Sequence, residues 1–185
     1  MSLLRPFSAL DLFSFNGINL DVWTETYGVN YYLSYMSTWP DLFSVVESAG
    51  GSSKQVGTLT SGSSGGTCGR GEGGELMGYV MGKTEGRGKD WHGHVSAITV
   101  SPSHRRLGLA SMMMDLLESV SAREHGWFVD LFVRESNDLA IGLYQSLGYM
   151  IYRRVVGYYG GGPREPDEDA FGESPPLPPA GQRLS

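Results

Sequence analysis

The sequence predicts an α/β domain, and three observations carry that reading. Val95-Ser-Ala-Ile-Thr-Val100 is a short, apolar, β-branched run that suits a buried strand, and turn residues Ser101–His104 lead from it into a helix. In that helix Leu109, Met112, Met113, Leu116, Leu117 and Val120 recur at i, i+3, i+4, i+7, i+8 and i+11, one face of an α-helical period. The order then repeats: Trp127–Val133 is a near-continuous apolar run, followed by a helix lined by Ala140, Leu143, Tyr144 and Leu147.

The remaining elements follow in chain order. Leu3–Phe7 reads as an edge strand, because Pro6 would damage a central one. Ser8 and Asp11 bracket a helix start, and the helix over Ala9–Phe15 ends before Asn16-Gly17. Its apolar residues Leu10, Leu12, Phe13 and Phe15 cover more of the circumference than one buried face requires. The helix is therefore expected to lie wedged inside the domain, or to dock part of its surface on another protein. A polar loop over 19–28 precedes a helix from Val29 to Ser37. Phe43–Glu47 and Leu76–Gly82 are strands, and the Gly/Ser/Thr-dominated stretch 49–74 between them is a flexible insertion with little to bury. Its glycines are no phosphate loop, since no Gly-Lys-[Ser/Thr] follows a strand. Ser136-Asn137-Asp138 opens the last helix and Gly148 stops it; Tyr149–Val156 is a final long strand or pair of strands. Residues 172–185, with Pro175–Pro179, read as a disordered proline-rich tail.

Composition narrows the function. With 185 residues the chain is one domain, or one domain with tails, and is long enough for a core. Fourteen Lys+Arg against twenty Asp+Glu give a formal charge of −6, which argues against direct nucleic-acid contact. The one cysteine, Cys68, forms no internal disulfide and fits a reducing compartment. No apolar run approaches the ~20 residues that span a bilayer, and Met1–Arg5 lacks a signal-peptide layout. A soluble, cytoplasmic protein is expected.

Arg105-Arg106-Leu107-Gly108-Leu109-Ala110 places two cations and a glycine where a helix begins. Unpaired N–H groups and the helix dipole both favour an anion there, and a pyrophosphate suits the site. Taken locally, the same residues also describe an ordinary helix start with two solvated arginines.

Two patterns together decide between those readings. Arg105-x-x-Gly108-x-Ala110 matches the acetyl-CoA signature of the GNAT acetyltransferases, directly after a strand. Asn137-x-x-Ala140-x-x-x-Tyr144-x-x-x-Gly148-Tyr149 resembles the second half of that fold. Leu20-Asp-x-x-Thr24-Glu25-Thr26-Tyr27-Gly28, Trp91-His-Gly-His94, Phe128-Val-Asp-Leu-Phe-Val-Arg134 and Glu165-Pro-Asp-Glu-Asp169-Ala resemble the catalytic subunits of NatB N-terminal acetyltransferases, from Leu3 to about Phe171. The insertion, the tail and Ser96, where relatives commonly carry Thr, depart from that pattern.

The resemblance implies a GNAT domain over 1–171: a mixed, mostly antiparallel sheet of about seven strands, splayed at its centre and flanked by about four helices. It implies acetyl-CoA as co-substrate, with the pyrophosphate on the N–H groups from Arg106 through Leu107, Gly108 and Leu109 to Ala110, aided by Arg105. The pantetheine arm would lie on the strand holding Ile98 and Val100. Gly108 lets the phosphates approach the backbone. Asn137 serves the site or merely caps its helix. Tyr144 is the candidate acid for the departing thiolate. An ordered water is the candidate base, helped by Glu25. The acceptor is an α-amine, of which roughly a tenth is uncharged at neutral pH, so little base help is needed. The implied substrate begins Met-Asp, Met-Glu, Met-Asn or Met-Gln. His94 and Ser96, two residues apart on one strand face, would meet its second side chain. Glu25, Tyr27, Tyr158 and Tyr159 would clamp its backbone. His92 and His94 share a strand face, but Cys68 sits in the insertion and no third ligand stands nearby, so no metal is expected. A large helical-repeat auxiliary subunit would bring the enzyme to ribosomes and nascent chains. A GNAT acting on lysines or small amines, and a non-catalytic acyl-CoA binder, are the rival readings.

Overall fold

The computed structural model describes residues 2–19, 23–48, 74–160 and 167–174. The expected insertion, apart from Gly74, and the segment 175–185 lie outside the described residues, as does Cys68. Among those described, the elements are β1 (Ser2–Pro6), α1 (Val29–Thr38), β2 (Phe43–Ser48), β3 (Leu76–Glu85), β4 (His92–Val100), α2 (Leu109–Arg123), β5 (Val129–Arg134), α3 (Asp138–Ser146), β6 (Met150–Tyr159) and β7 (Glu168–Ser174). The seven strands form one sheet in the order β1-β2-β3-β4-β5-β7-β6. Every neighbouring pair is antiparallel except β4 and β5.

That parallel pair creates the opening on which function depends. Pairing joins Gly93, His94 and Val95 to Val129, Asp130 and Leu131, and then it stops. On the other edge of β4, Met81 faces Ala97 while Gly82 faces Val95, so Ser96 is an extra, bulged residue. A bulge bends its strand and sharpens the twist. Here it turns residues 96–100 away from β5 and leaves that side of β4 unpaired.

Two apolar clusters hold the sheet from its two faces. α2 lays Met113, Met114, Leu117 and Val120 against Val80, Val95, Val129 and Leu131, and Tyr144 and Tyr149 join them. The opposite cluster packs Tyr32 and Tyr35 of α1 with Phe7, Phe15, Phe43, Tyr79 and Met81. Close approach of α2 depends on Gly93, where a Cβ would stand 2.0 Å from Ser121 Oγ. This contact fixes the root of β4 immediately before His94.

Three sequence expectations change. The first helix is not α-helical: it is a pair of 3₁₀ turns, Ala9–Phe13 and Phe15–Gly17, leaving three α-helices among the described residues. Nor is it wedged inside the domain, because Leu10 and Phe13 are 74% and 84% exposed. The cause is Asp11. It accepts from the Ser8 backbone N–H in a capping box, and it turns inward to a bidentate pair with Arg5 at 2.8 Å. The third change concerns β7, which runs to Ser174 and so takes Gly172, Glu173 and Ser174 out of the expected tail. Its acidic, glycine-containing sequence carries little strand propensity, but hydrogen-bonded neighbours on both edges, β5 and β6, set its conformation.

Candidate active site

A cleft of about 500 Å³ lies between the diverging ends of β4 and β5, closed at one end by the mouth of α2 and at the other by the 23–28 loop and the end of β6. Ile98, Val100, Arg105, Arg106, Gly108, Leu109 and Ala110 line it, together with Asn137 and Tyr144. Leu107 does not, and at 61% exposure it points away. Glu25, Tyr27, His94, Ser96, Tyr158 and Tyr159 line the same space.

The α2 end is built to take an anion on its backbone. Gly108 is the N-cap, at φ +75°, and no side chain caps the helix, so its leading N–H groups keep their donors for the cleft. Arg106 is also left-handed, at φ 65°, an uncommon conformation for a residue with a side chain. Asn137 caps α3: its Oδ1 accepts from Ala140 N at 3.1 Å, while the residue also borders the cleft. The cap and the site are thus not exclusive.

Tyr144 projects from α3 into the core edge of the cleft, buried beside Tyr149. Burial, with the negative charge of Glu173 adding to it, pushes its phenol well above the ordinary value. A phenol so placed stays protonated at neutral pH and has a proton to give. Tyr27 donates to the Ser96 carbonyl at 3.4 Å, and burial, reinforced by the charge of Glu25, pushes its phenol up to about 12. Ser96, on the cleft wall, shares a 2.8 Å hydrogen bond between its hydroxyl and that of Tyr35. Tyr159 donates to the Phe132 carbonyl at 3.0 Å, and the Arg134 guanidinium sits 4.2 Å over its ring.

His94 is buried, and its Nδ1 lies 2.7 Å from Asp130 Oδ1. Burial raises the Asp130 carboxyl, but the hydrogen bond from His94 and the nearby histidine charges outweigh it and hold the group below the ordinary aspartate value. The structure also corrects the expectation that no third metal-ligand candidate stands near the histidine pair. Glu85 on β3 brings a carboxylate whose ligand atom, with those of His92 and His94, falls within a 4.8 Å group. Two ligands on one tetrahedral ion with bonds of ~2.0 Å stand about 3.3 Å apart. The 2.7 Å separation of His94 and Asp130 is that of a hydrogen-bonded pair.

Several cleft residues escaped the sequence reading. Arg134 binds Glu25 on one side and Glu168 on the other, at 3.0 Å for the latter. Thr24 and Thr99 share a hydrogen bond of 2.7 Å across the cleft. Asp130 and Arg134 carried a signal: charged residues inside an apolar strand need partners once buried. Thr24 carried none.

A splayed β4/β5 pair, an uncapped glycine-led helix at the fork and a buried tyrosine facing it define an acyl-CoA-dependent acetyltransferase site. The family model of the acetyltransferase (GNAT) family matches residues 29–149, and the chain belongs to that family. Within it, the chain belongs with the NatB catalytic subunits. It is 52% identical over 177 residues, covering 96% of this chain and 86% of the relative, to the N-terminal acetyltransferase B complex catalytic subunit naa20 of Schizosaccharomyces pombe. Among solved structures, Chaetomium thermophilum Naa20 in complex with a bisubstrate analogue is similar at a TM-score of 0.79 and 34% identity, over 98% of this chain and 90% of that one. A NatB acetyltransferase complex bound to CoA and MES is similar at a TM-score of 0.73 and 37% identity, over 95% and 99%. Among the described residues no helix is long and apolar enough to cross a membrane.

Proposed function

We propose that this chain is the catalytic subunit of a NatB-type enzyme. It transfers acetyl from acetyl-CoA to the α-amine of proteins beginning Met-Asp, Met-Glu, Met-Asn or Met-Gln during their synthesis. The observation that carries this reading is the end of β4–β5 pairing at Val95 and Leu131, beside the N-terminus of α2. There the free edge of β4 serves the pantetheine amides, and the helix mouth serves the pyrophosphate, with Arg105 and Arg106 adding charge.

The thioester then lies at the fork, near Tyr144. The amine nitrogen attacks the thioester carbon, its surplus proton passes to water, the C–S bond breaks as Tyr144 protonates the leaving sulfur, and Tyr144 then takes a proton back from water. Much of the acceleration comes from holding two reactants together, an effect worth up to ~7–11 kcal/mol in favourable geometries. Glu25, ion-paired with Arg134, positions the 23–28 loop over the substrate and assists the water that takes the amine proton. Tyr27, Tyr158 and Tyr159 wall the peptide entrance, and His94 meets the second side chain.

The auxiliary subunit is a large helical-repeat protein that presents the enzyme to ribosomes in the cytoplasm, and exposed Leu10 and Phe13 are the surface offered to it. A peptide panel assayed with and without that subunit tests the function. Met-Asp peptides are expected well above Ser-Glu, Met-Leu and internal-lysine peptides. Preference for lysine, or coenzyme A binding with no turnover beside the partner, would overturn it.

A further inference from the structure

Among the described residues, Asp130 is the one carboxylate that His94 touches at hydrogen-bond distance, and the contact dictates which ring nitrogen holds a proton. An ionised carboxylate only accepts, so His94 Nδ1 must carry the hydrogen of the 2.7 Å bond. Tyr152 donates to the other oxygen of Asp130 at 3.1 Å, which keeps that carboxylate oriented. With Nδ1 spent, Nε2 is the ring nitrogen left for a ligand in the cleft that His94 borders.

The geometry points to Asp130 as a positioning residue that makes His94 a two-state reader, accepting from amide side chains when neutral and donating to acidic ones when charged, so that pH sets the preference between Met-Asn/Gln and Met-Asp/Glu substrates. The inference rests on the reading that His94 meets the second substrate side chain. Neutral His94 with Nδ1–H fixed shows a lone pair at Nε2; this accepts from an amide N–H and repels a carboxylate. Protonated His94 shows an N–H and a positive charge, which favour a carboxylate. Without Asp130 the neutral ring would be free to place its proton on Nε2, and the distinction would blur.

Among the described residues, the groups that share this environment are few. Lys83 and Glu85 on β3 pair with each other at 2.6 Å, and Glu85 lies 3.9 Å from His94 Nδ1. His92 on β4 lies 3.4 Å from Asp130, and its Nδ1 is already committed to the Asp90 carbonyl at 2.6 Å. On β6, Tyr152 bonds Asp130, Arg153 stacks on Phe132 and Tyr152, and Tyr158 packs on Phe132. Among the described residues, Glu85 and His92 stand farther off, and Asp130 is the ionisable partner within hydrogen-bond distance of His94.

The test uses the full chain with its auxiliary subunit and compares kcat/KM for Met-Asp and Met-Asn peptides from about pH 5.5 to 8.5. Titration of the common α-amine cancels in the ratio. The Met-Asp to Met-Asn ratio is expected to fall about tenfold with rising pH, the difference between a charge-assisted and a neutral hydrogen bond. Asp130→Asn, checked for folding by thermal melting and for coenzyme A binding by calorimetry, frees the neutral ring to place its proton on Nε2 and is expected to flatten the dependence of the ratio on pH. His94→Gln, which has nothing to titrate, is expected to give a flat ratio. A flat ratio in the unmodified complex, or an unchanged pH profile in either variant, would overturn the inference and leave the proposed function standing. No turnover of either peptide by a folded, coenzyme A-binding complex would remove the functional reading and this inference with it.

Discussion

Arg134, at the end of β5, reaches across the cleft entrance to the carboxylate of Glu25 and so ties the sheet to the 23–28 loop. The same guanidinium bonds Glu168 of β7 and covers the ring of Tyr159. One side chain thus sets the spacing of three segments that border the peptide entrance. An exposed ion pair alone contributes little, about 0–1 kcal/mol, so the fold should survive its loss. Arg134→Met is expected to raise KM for a Met-Asp peptide about three- to tenfold, the reach of roughly 1 kcal/mol. Coenzyme A affinity, read by calorimetry, should stay within about twofold, because the helix mouth is built from other residues. A variant that lost both equally would show Arg134 to be a general structural support.

Tyr144→Phe keeps the packing against Tyr149 and removes only the hydroxyl. Turnover is expected to drop about a hundredfold, at the lower end of general acid contributions, while acetyl-CoA affinity is retained. Steady-state kinetics paired with calorimetry separates the two effects. An unchanged kcat would leave the departing thiolate without need of this proton.

Gly108 at φ +75° has no heavy atom within 4 Å of an added Cβ, so space does not forbid a side chain there. Conformation does. A left-handed backbone with a β-branched residue is strained by about 1–2 kcal/mol, and the added atoms would stand where the phosphates approach. Gly108→Val is expected to weaken coenzyme A binding at least about tenfold and lower the melting temperature slightly. Equal binding by the variant would move the pyrophosphate away from this turn.

Much of this architecture was legible in the sequence because its central elements are locally consistent. The β-branched Val95–Val100 run, the period of Leu109–Val120 and the apolar Trp127–Val133 run each announce one conformation, and each forms near its expected bounds. Where long-range contacts decide, reading by pattern fails. β7 is a strand because β5 and β6 flank it, neither of which its own pattern announces. The site divides in the same way. Arg105, Gly108 and Tyr144 stand in spaced motifs, whereas Thr24 meets Thr99 across 75 positions of chain and nothing local marks the pair. Glu25 stands in a motif too, but its partner Arg134 appears only in three dimensions.

Glu173 sets the last expectation. It is fully buried on β7, and neither of its carboxylate oxygens has a hydrogen-bond partner among the described residues. Burial pushes its carboxyl from the ordinary 4.5 up to about 7. Between those values the unfolded chain has released the proton and the folded chain still holds it. Stability from this group is therefore complete below pH 4.5, falls as pH rises through the window, and changes no further above about 7. Asp11 and Asp130, held below 3.8, act in a lower window with the opposite sign, losing stability as pH falls. Glu173→Met, which matches the length of the side chain and needs no partner, is expected to shrink the decline between pH 4.5 and 7, leaving the part due to Glu118, which burial also raises, and to melt higher than the unmodified chain at pH 8. Thermal melts across that range read the slope directly. A decline of undiminished slope in Glu173→Met would assign the pH dependence to another buried group.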